Sequence, residues 1–238
     1  MKGVVLERYG GPEALVWRED LPDPQPGPGE VVVRVAACGL NHLDLRIRKG
    51  MKGVTLALPH VMGADLCGTV EGTGERVIVD PGLSCGDCGR CRSGLEPECE
   101  RFGILGLARG GGYAEKVAVP RANCLPWPEG LAAPLAAAFP LVFTTAHHML
   151  QARGAVKPGQ TVLVLAASGG VGTAAVQLAK AAGARVIAVT GSEDKAFRVK
   201  SLDADVVIER SKQDFAAGAN DVELVIYPVG GEVLAISQ

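Results

Sequence analysis

The chain has 238 residues, 47% of them hydrophobic and 21% charged, with a formal net charge of −2 at pH 7. That composition is globular rather than disordered, and the length allows a sizeable core in more than one domain. The weakly acidic balance excludes a basic field for nucleic acid. The opening segment MKGVVLERYG is charged too soon for a signal peptide, so a cytoplasmic protein with reduced thiols is expected.

The first 125 or so residues read as short strands divided by turns. LPDPQPGPGE (Leu21 to Glu30) is a proline-rich connector. EVVVRVAAC (Glu30 to Cys38) is the clearest strand, and GTVEG, ERVIVD and YAEKVAV follow, each bounded by Gly or Pro. RIRKGMK (Arg46 to Lys52) reads as a solvated helix or loop face. These elements predict an all-β, barrel-like lobe.

An excursion from that lobe carries four of the seven cysteines, spaced Cys85-x2-Cys88-x2-Cys91-x7-Cys99. Disulfides fit a reducing compartment poorly. An iron–sulfur run would bring its fourth Cys sooner and follow it with Pro, whereas here Glu100 follows. Four thiolates satisfy tetrahedral Zn2+ and leave no position for water or substrate, so the zinc expected on Cys85, Cys88, Cys91 and Cys99 is structural.

Leu131 to Ala152 is uncharged and long enough to cross a membrane, but it contains Pro134, Pro140, Thr144, Thr145, His147 and His148 and is rich in alanine. It reads as a buried core helix with its lead-in, and no membrane span is expected. After it, strands alternate with helices. TVLVLAA (Thr161 to Ala167), RVIAVT, ADVVIE and DVELVIYP are strands, while GTAAVQLAKAAGA and SEDKAFRVKSL are helices. The alternation predicts a doubly wound parallel sheet, incomplete at four strands.

Ala167-Ser168-Gly169-Gly170-Val171-Gly172 closes a strand and opens a helix, the setting a dinucleotide fingerprint requires. Gly169 would admit a pyrophosphate, Gly172 would allow close helix–strand packing, and free amides at the helix start would hold the anion. The second strand ends in Thr190-Gly191-Ser192 with Lys195 beyond, and offers no carboxylate for a ribose 2′-hydroxyl. Gly191, Ser192 and Lys195 therefore point to NADPH, although Glu193 and Asp194 weaken the local field.

A barrel lobe, a four-cysteine knuckle and a nucleotide loop in this order resemble the medium-chain dehydrogenase/reductase superfamily, on its quinone oxidoreductase and zinc-type alcohol dehydrogenase-like branch. The likeness rests on the cysteine spacing, on AASGGVGTAAVQLAKAAGARVIAVTGSEDK and on DVELVIYPVGG. It implies a GroES-like lobe over residues 1–128, with the zinc knuckle at 82–100, and a truncated Rossmann NADP-binding domain over 129–238. It also implies Asn41 and Thr145 beside the nicotinamide. Zinc alcohol dehydrogenases of the family carry a second, catalytic zinc. CGLNHLD (Cys38 to Asp44) matches its first ligand motif, but Gly63-Ala64-Asp65 lacks the second ligand's His and Leu141 stands at the third ligand's place. No catalytic zinc is expected.

The resemblance implies a reductase that passes hydride from NADPH to a quinone or an activated carbonyl or enone, a small-molecule substrate, with no general acid assignable. The alternatives are a non-catalytic NADPH-binding protein or inactive shortened dehydrogenase, a zinc-containing alcohol dehydrogenase, and a zinc-stabilised fragment with neither role. VELVIY would be an open sheet edge. It would be covered by the last residues, GGEVLAISQ, or by a second copy in a homo-oligomer.

Overall fold

The computed structural model describes residues 1–215, 219 and 221–228. Its contacts divide the chain into two compact units, Met1–Leu141 and the residues from Val142 onward. This contact boundary falls beyond the 128/129 domain boundary that the resemblance implies. The segment between those points packs on the first unit's strands, with Ala136 and Ala137 buried against Cys67 and Ile78.

The first unit opens with β1 (Gly3–Leu6) and β2 (Leu15–Arg18), then β3 (Glu30–Gly39), helix α1 (His42–Lys49), β4 (His60–Val61), β5 (Asp65–Val70) and β6 (Arg76–Val79). It continues through β7 (Gly82–Leu83), α2 (Gly89–Arg92), β8 (Gly103–Ile104), β9 (Lys116–Pro120), β10 (Cys124–Pro126) and α3 (Ala133–Ala137). Two sheets result, ordered β2-β1-β4 and β10-β6-β5-β3-β9, with the short pair β7-β8 beside them. Both larger sheets are antiparallel.

Alternation along β3, β5, β6 and β9 sends Val33, Leu66, Val70, Val77, Val79, Val117 and Val119 into one core. β5 tolerates no side chain at Gly68, because a Cβ there would collide with the Arg34 carbonyl oxygen of β3. β1 and β2 were not anticipated as elements. α1, N-capped by Asn41, takes in the first part of the basic run, Arg46 to Lys49, and turns Ile47 into a second cluster alongside Leu6, Ala14 and Met62.

The second unit contains α4 (Pro140–His147, whose first two residues belong to the first unit), β11 (Thr161–Val164), α5 (Gly170–Ala181), β12 (Arg185–Thr190), α6 (Glu193–Lys200), β13 (Val206–Glu209) and β14 (Leu224–Ile226). The four strands form one parallel sheet ordered β13-β12-β11-β14. The order runs outward from β11 in both directions, so the chain reverses its direction of winding beside β11. In open α/β sheets that is where ligands bind, beyond the carboxyl ends of the strands.

Side chains leave the sheet alternately. Val162, Val164, Val186 and Ala188 meet Ala174, Ala175 and Ala179 of α5, Val199 of α6, and Ala146 and Leu150. Leu163, Leu165, Ile187, Val189 and Ile208 face the other way with Phe215. Among the described residues β14 is a sheet edge, and the expected cover by the last residues lies outside them.

The uncharged stretch from 131 to 152 is not one helix. α3 ends at Ala137, Pro140 opens α4, and the chain then winds as a π-helix over His148–Arg153. Pro140 donates no backbone N–H, so it fits a helix start and cannot continue α3. The stretch is also not wholly buried, since Leu135 is 64% and Phe139 47% exposed. No helix among the described residues is long and apolar enough to cross a membrane.

Candidate functional site

The pairing of β7 with β8 closes the loop that holds the knuckle. Within it α2 carries Cys91, and Cys88 caps that helix by accepting the Cys91 N–H at 3.5 Å. The donor atoms of Cys85, Cys88, Cys91 and Cys99 all lie within 4.8 Å of one another. The sulfurs of Cys85 and Cys91 are 3.7 Å apart, those of Cys88 and Cys91 3.5 Å, and those of Cys99 and Cys85 3.5 Å. A tetrahedron with Zn–S bonds of about 2.3 Å has edges of about 3.8 Å, so the four sulfurs fit zinc with little adjustment.

Backbone N–H groups support the same charge. Cys85 N–H donates to the Cys99 sulfur at 3.5 Å, Cys88 N–H to the Cys85 sulfur at 3.4 Å, and Arg101 N–H to the Cys99 sulfur at 3.3 Å. The Cys91 amide draws the Cys88 thiol down to about 6, and the Cys85 amide lowers Cys99. Burial raises Cys91 to about 11. A zinc ion held by these four sulfurs would balance the charge of their thiolates. Among the described residues this is the one group of three or more potential ligands gathered closely enough for a metal.

In the second unit the nucleotide loop lies between β11 and α5. Gly169 is the N-cap of α5, and among the described residues no side chain caps the helix, which leaves the amides of its first turn without a side-chain acceptor. Gly169 and Gly170 are exposed, Val171 is half-buried, and Gly172 is buried. A Cβ on Gly172 would collide with the Ala166 carbonyl oxygen and approach Ala167 Cα to 2.7 Å. The close helix–strand packing therefore requires glycine there. Ala166 itself adopts a left-handed φ of 50° to turn the chain out of the strand.

A cleft of about 190 Å³ opens beside this loop, over the carboxyl ends of β11 and β12. Leu165, Ala166, Ser168, Val189, Thr190, Gly191, Lys195, Arg210 and Phe215 line it. Of the residues expected to hold the cofactor, Ser168, Gly191 and Lys195 are in its wall. Ser192, the N-cap residue of α6, is not. Gly169, Gly170, Val171 and Gly172 stand at the start of α5 rather than in the wall.

Arg210 was missed by sequence reasoning. It follows β13, and the parallel register that sets Thr190 opposite Glu209 brings the end of β13 beside the end of β12. The Arg210 N–H donates to the Thr190 carbonyl at 3.0 Å. The sequence signal available was the cationic run after the third strand, which any parallel neighbour of the second strand would deliver to this edge. Among the described residues neither Lys195 nor Arg210 is in an ion pair.

Asn41 and Thr145, expected beside a nicotinamide, belong to different units. Thr145 is half-buried on α4. Asn41 starts α1, with its backbone N–H donating to Asp44 Oδ2 at 2.7 Å. Its side-chain amide donates to Asp65 Oδ2 at 2.8 Å, and the Leu141 N–H donates to Asp65 Oδ1 at the same distance. Asn41 is thus held by a buried carboxyl that also binds the start of α4. Burial pushes Asp65 up to about 6 in spite of those two donors. Cys38 is packed against glycine, since a Cβ on Gly63 or Gly112 would come within 2.8 or 2.9 Å of its sulfur. Burial raises its thiol well above the usual range.

Two family profiles match the chain, "Alcohol dehydrogenase GroES-like domain" over residues 27–129 and "Zinc-binding dehydrogenase" over residues 170–235. The acryloyl-coenzyme A reductase of Sulfurisphaera tokodaii is 33% identical across 97% of this chain, which spans 70% of that protein. A crystal structure of an NAD-dependent alcohol dehydrogenase superposes with a TM-score of 0.87 at 48% identity, over 92% of this chain and 66% of its own. The quinone oxidoreductase of Thermus thermophilus, solved with NADPH, superposes with a TM-score of 0.79 at 37% identity, over 99% of this chain and 69% of its own. Both profiles and these relatives, matched across most of the chain at 33% identity or more, show that the chain belongs to the medium-chain dehydrogenase/reductase superfamily.

Proposed function

We propose that this chain binds NADPH in the cleft over β11 and β12 and serves an oxidoreductase that reduces a quinone or an activated carbonyl or enone. The observation that carries the reading is the pair of unpaired cations, Lys195 and Arg210, in one cleft wall with Thr190 and Gly191. A 2′-phosphate is the part of the cofactor that such cations would favour, by charge-assisted hydrogen bonds as well as by charge. The amides at the start of α5 would take the pyrophosphate, and Gly172 keeps that helix close enough to the strand for them to do so.

When bound, the nicotinamide supplies hydride. The chain's own work is to orient it and exclude water. Asn41 and Thr145 remain proposed for the nicotinamide side, with Asp65 fixing the Asn41 amide. The knuckle is proposed to hold one structural zinc through Cys85, Cys88, Cys91 and Cys99 and to contribute no chemistry, because a closed four-thiolate site has no open position. A homo-oligomer joined through the β14 edge is the proposed assembly.

A second reading, NADH as cofactor, draws on Glu209. Its register opposite Thr190 brings a carboxylate near the ribose end of the cleft. The 48% identical relative is also described as NAD-dependent.

Equilibrium titration of the whole chain with NADPH and NADH decides between the two. Tighter NADPH binding that narrows with added salt is the expected outcome, and equal or tighter NADH binding overturns it. NADPH oxidation with a simple ortho-quinone tests the reaction. Tight binding without turnover would make the chain a binding protein.

A further inference from the structure

The cleft's two free cations are bordered by carboxylates, and a third cation holds those carboxylates. Glu193 opens α6, two residues after Gly191 of the cleft wall. Glu209 closes β13, one residue before Arg210 of that wall and opposite Thr190 in register. Left to themselves, both would place negative charge beside any 2′-phosphate that Lys195 and Arg210 attract. Lys212 lies on the turn after β13. Its ammonium is 3.1 Å from Glu193 Oε2 and 3.0 Å from Glu209 Oε2. Ser211 Oγ adds a hydrogen bond to Glu209 Oε1 at 2.6 Å. One ammonium thus ties the first turn of α6 to the end of β13.

We infer that Lys212 is a positioning residue that sets the cofactor preference of this cleft, by pairing with Glu193 and Glu209 and so leaving the charge of Lys195 and Arg210 available to a 2′-phosphate. The inference rests on the proposed phosphate reading of the cleft. It adds that the preference depends on a residue outside the wall, and that without Lys212 the same carboxylates favour a ribose bearing a free 2′-hydroxyl. The Ser211 hydroxyl and then the Lys212 ammonium lower Glu209, and Glu209 and Glu193 raise Lys212. Lys212 is 60% exposed, so the effect is modest and sensitive to salt.

The test uses the whole chain and two fragment ligands, 2′,5′-ADP and 5′-AMP, which differ by the phosphate in question. The quantity read is the Kd for 5′-AMP divided by that for 2′,5′-ADP. Lys212→Met is expected to lower this ratio about fivefold at low ionic strength, the size that two exposed charge pairs support. The loss should fall on 2′,5′-ADP, with 5′-AMP nearly unchanged. Lys212→Arg should restore the ratio, and so should Lys212→Met combined with Glu193→Gln and Glu209→Gln, which leaves no carboxylate to release. A merely structural loosening would weaken both ligands alike. That result, or an unmoved ratio, overturns the inference. An unmodified chain with a ratio near one overturns the NADPH reading instead. Lys212 would then still stand or fall on whether its replacement drives the ratio below one.

Discussion

The knuckle and the nucleotide cleft solve opposite problems with the same kind of group. In the knuckle, backbone N–H donors of Cys85, Cys88, Cys91 and Arg101 point at the sulfurs of Cys85, Cys88 and Cys99, and all four sulfurs lie within 4.8 Å of one another. Beside the cleft, the first amides of α5 have no side-chain cap, and in its wall Lys195 and Arg210 are in no ion pair among the described residues. One site is closed on itself and suited to an ion that never leaves. The other is incomplete and suited to an anion that comes and goes. The proposed roles, a structural metal at the first and cofactor binding at the second, can be tested at both ends.

The largest effect is expected at the closed site. Zinc sites of this kind contribute roughly 10–16 kcal/mol of apparent binding free energy in small domains. Cys88→Ser should therefore lose the metal and unfold the knuckle, read as a zinc content falling from one per chain towards none together with a lower Tm. Chelation should remove activity slowly, in step with loss of structure by circular dichroism. Instant loss that zinc restores, with the fold intact, would break the contrast by making the metal catalytic.

Next comes the glycine that fixes the open site. Gly172→Val drives side-chain atoms into the Ala166 carbonyl and Ala167, and overpacking of this kind costs about 1–3 kcal/mol. Denaturant unfolding should show that loss, and NADPH binding should fall more than tenfold. Gly169→Ala places its Cβ 3.3 Å from the same oxygen, so it should cost clearly less. Equal costs at the two positions would show that close packing is not what Gly172 supplies.

A smaller, pH-dependent effect belongs to Asp65. Burial raises its carboxyl to about 6 in the folded chain, against about 3.9 when unfolded. The stability carried by its protonated form is therefore complete below about pH 4 and lost as pH rises through 6. Going from pH 7.5 down to 5, the native chain gains about 1–1.5 kcal/mol from this group. Asp65→Asn cannot gain it, so the gap in stability between variant and native chain should widen by that amount at pH 5. A gap that stays constant with pH would place the raised pKa elsewhere.

The smallest effect is at the cleft cations. Lys195 is exposed, and exposed pairs are worth about 0.2–1 kcal/mol. Lys195→Ala and Arg210→Ala should each weaken NADPH about two- to fivefold and leave NADH nearly unchanged, with the difference shrinking in salt. An equal loss for both cofactors would remove the phosphate from this wall.

Wherever the signal was local, the chain's order and chemistry could be read from the residues alone. The spacing Cys85-x2-Cys88-x2-Cys91-x7-Cys99 pointed to a gathering of thiols, and the four sulfurs lie within 4.8 Å of one another, because such short gaps leave them few other arrangements. RVIAVT reappears as β12 without a shifted end, and the glycine at 172 stands where a side chain would strike the preceding turn. What depends on pairing between distant segments was out of reach. β1 and β2 carry little pattern of their own and exist because they pair with each other and with β4. The division at 141/142 follows from α3 packing on the first unit's strands, a tertiary choice that composition does not show. The sequence therefore determined that a glycine-rich loop would stand before α5 and that no carboxylate would end β12. Only the tertiary structure decided which residues complete the cleft, because parallel pairing of β12 with β13 carries Glu209, Arg210 and Lys212 to its edge from about twenty residues away.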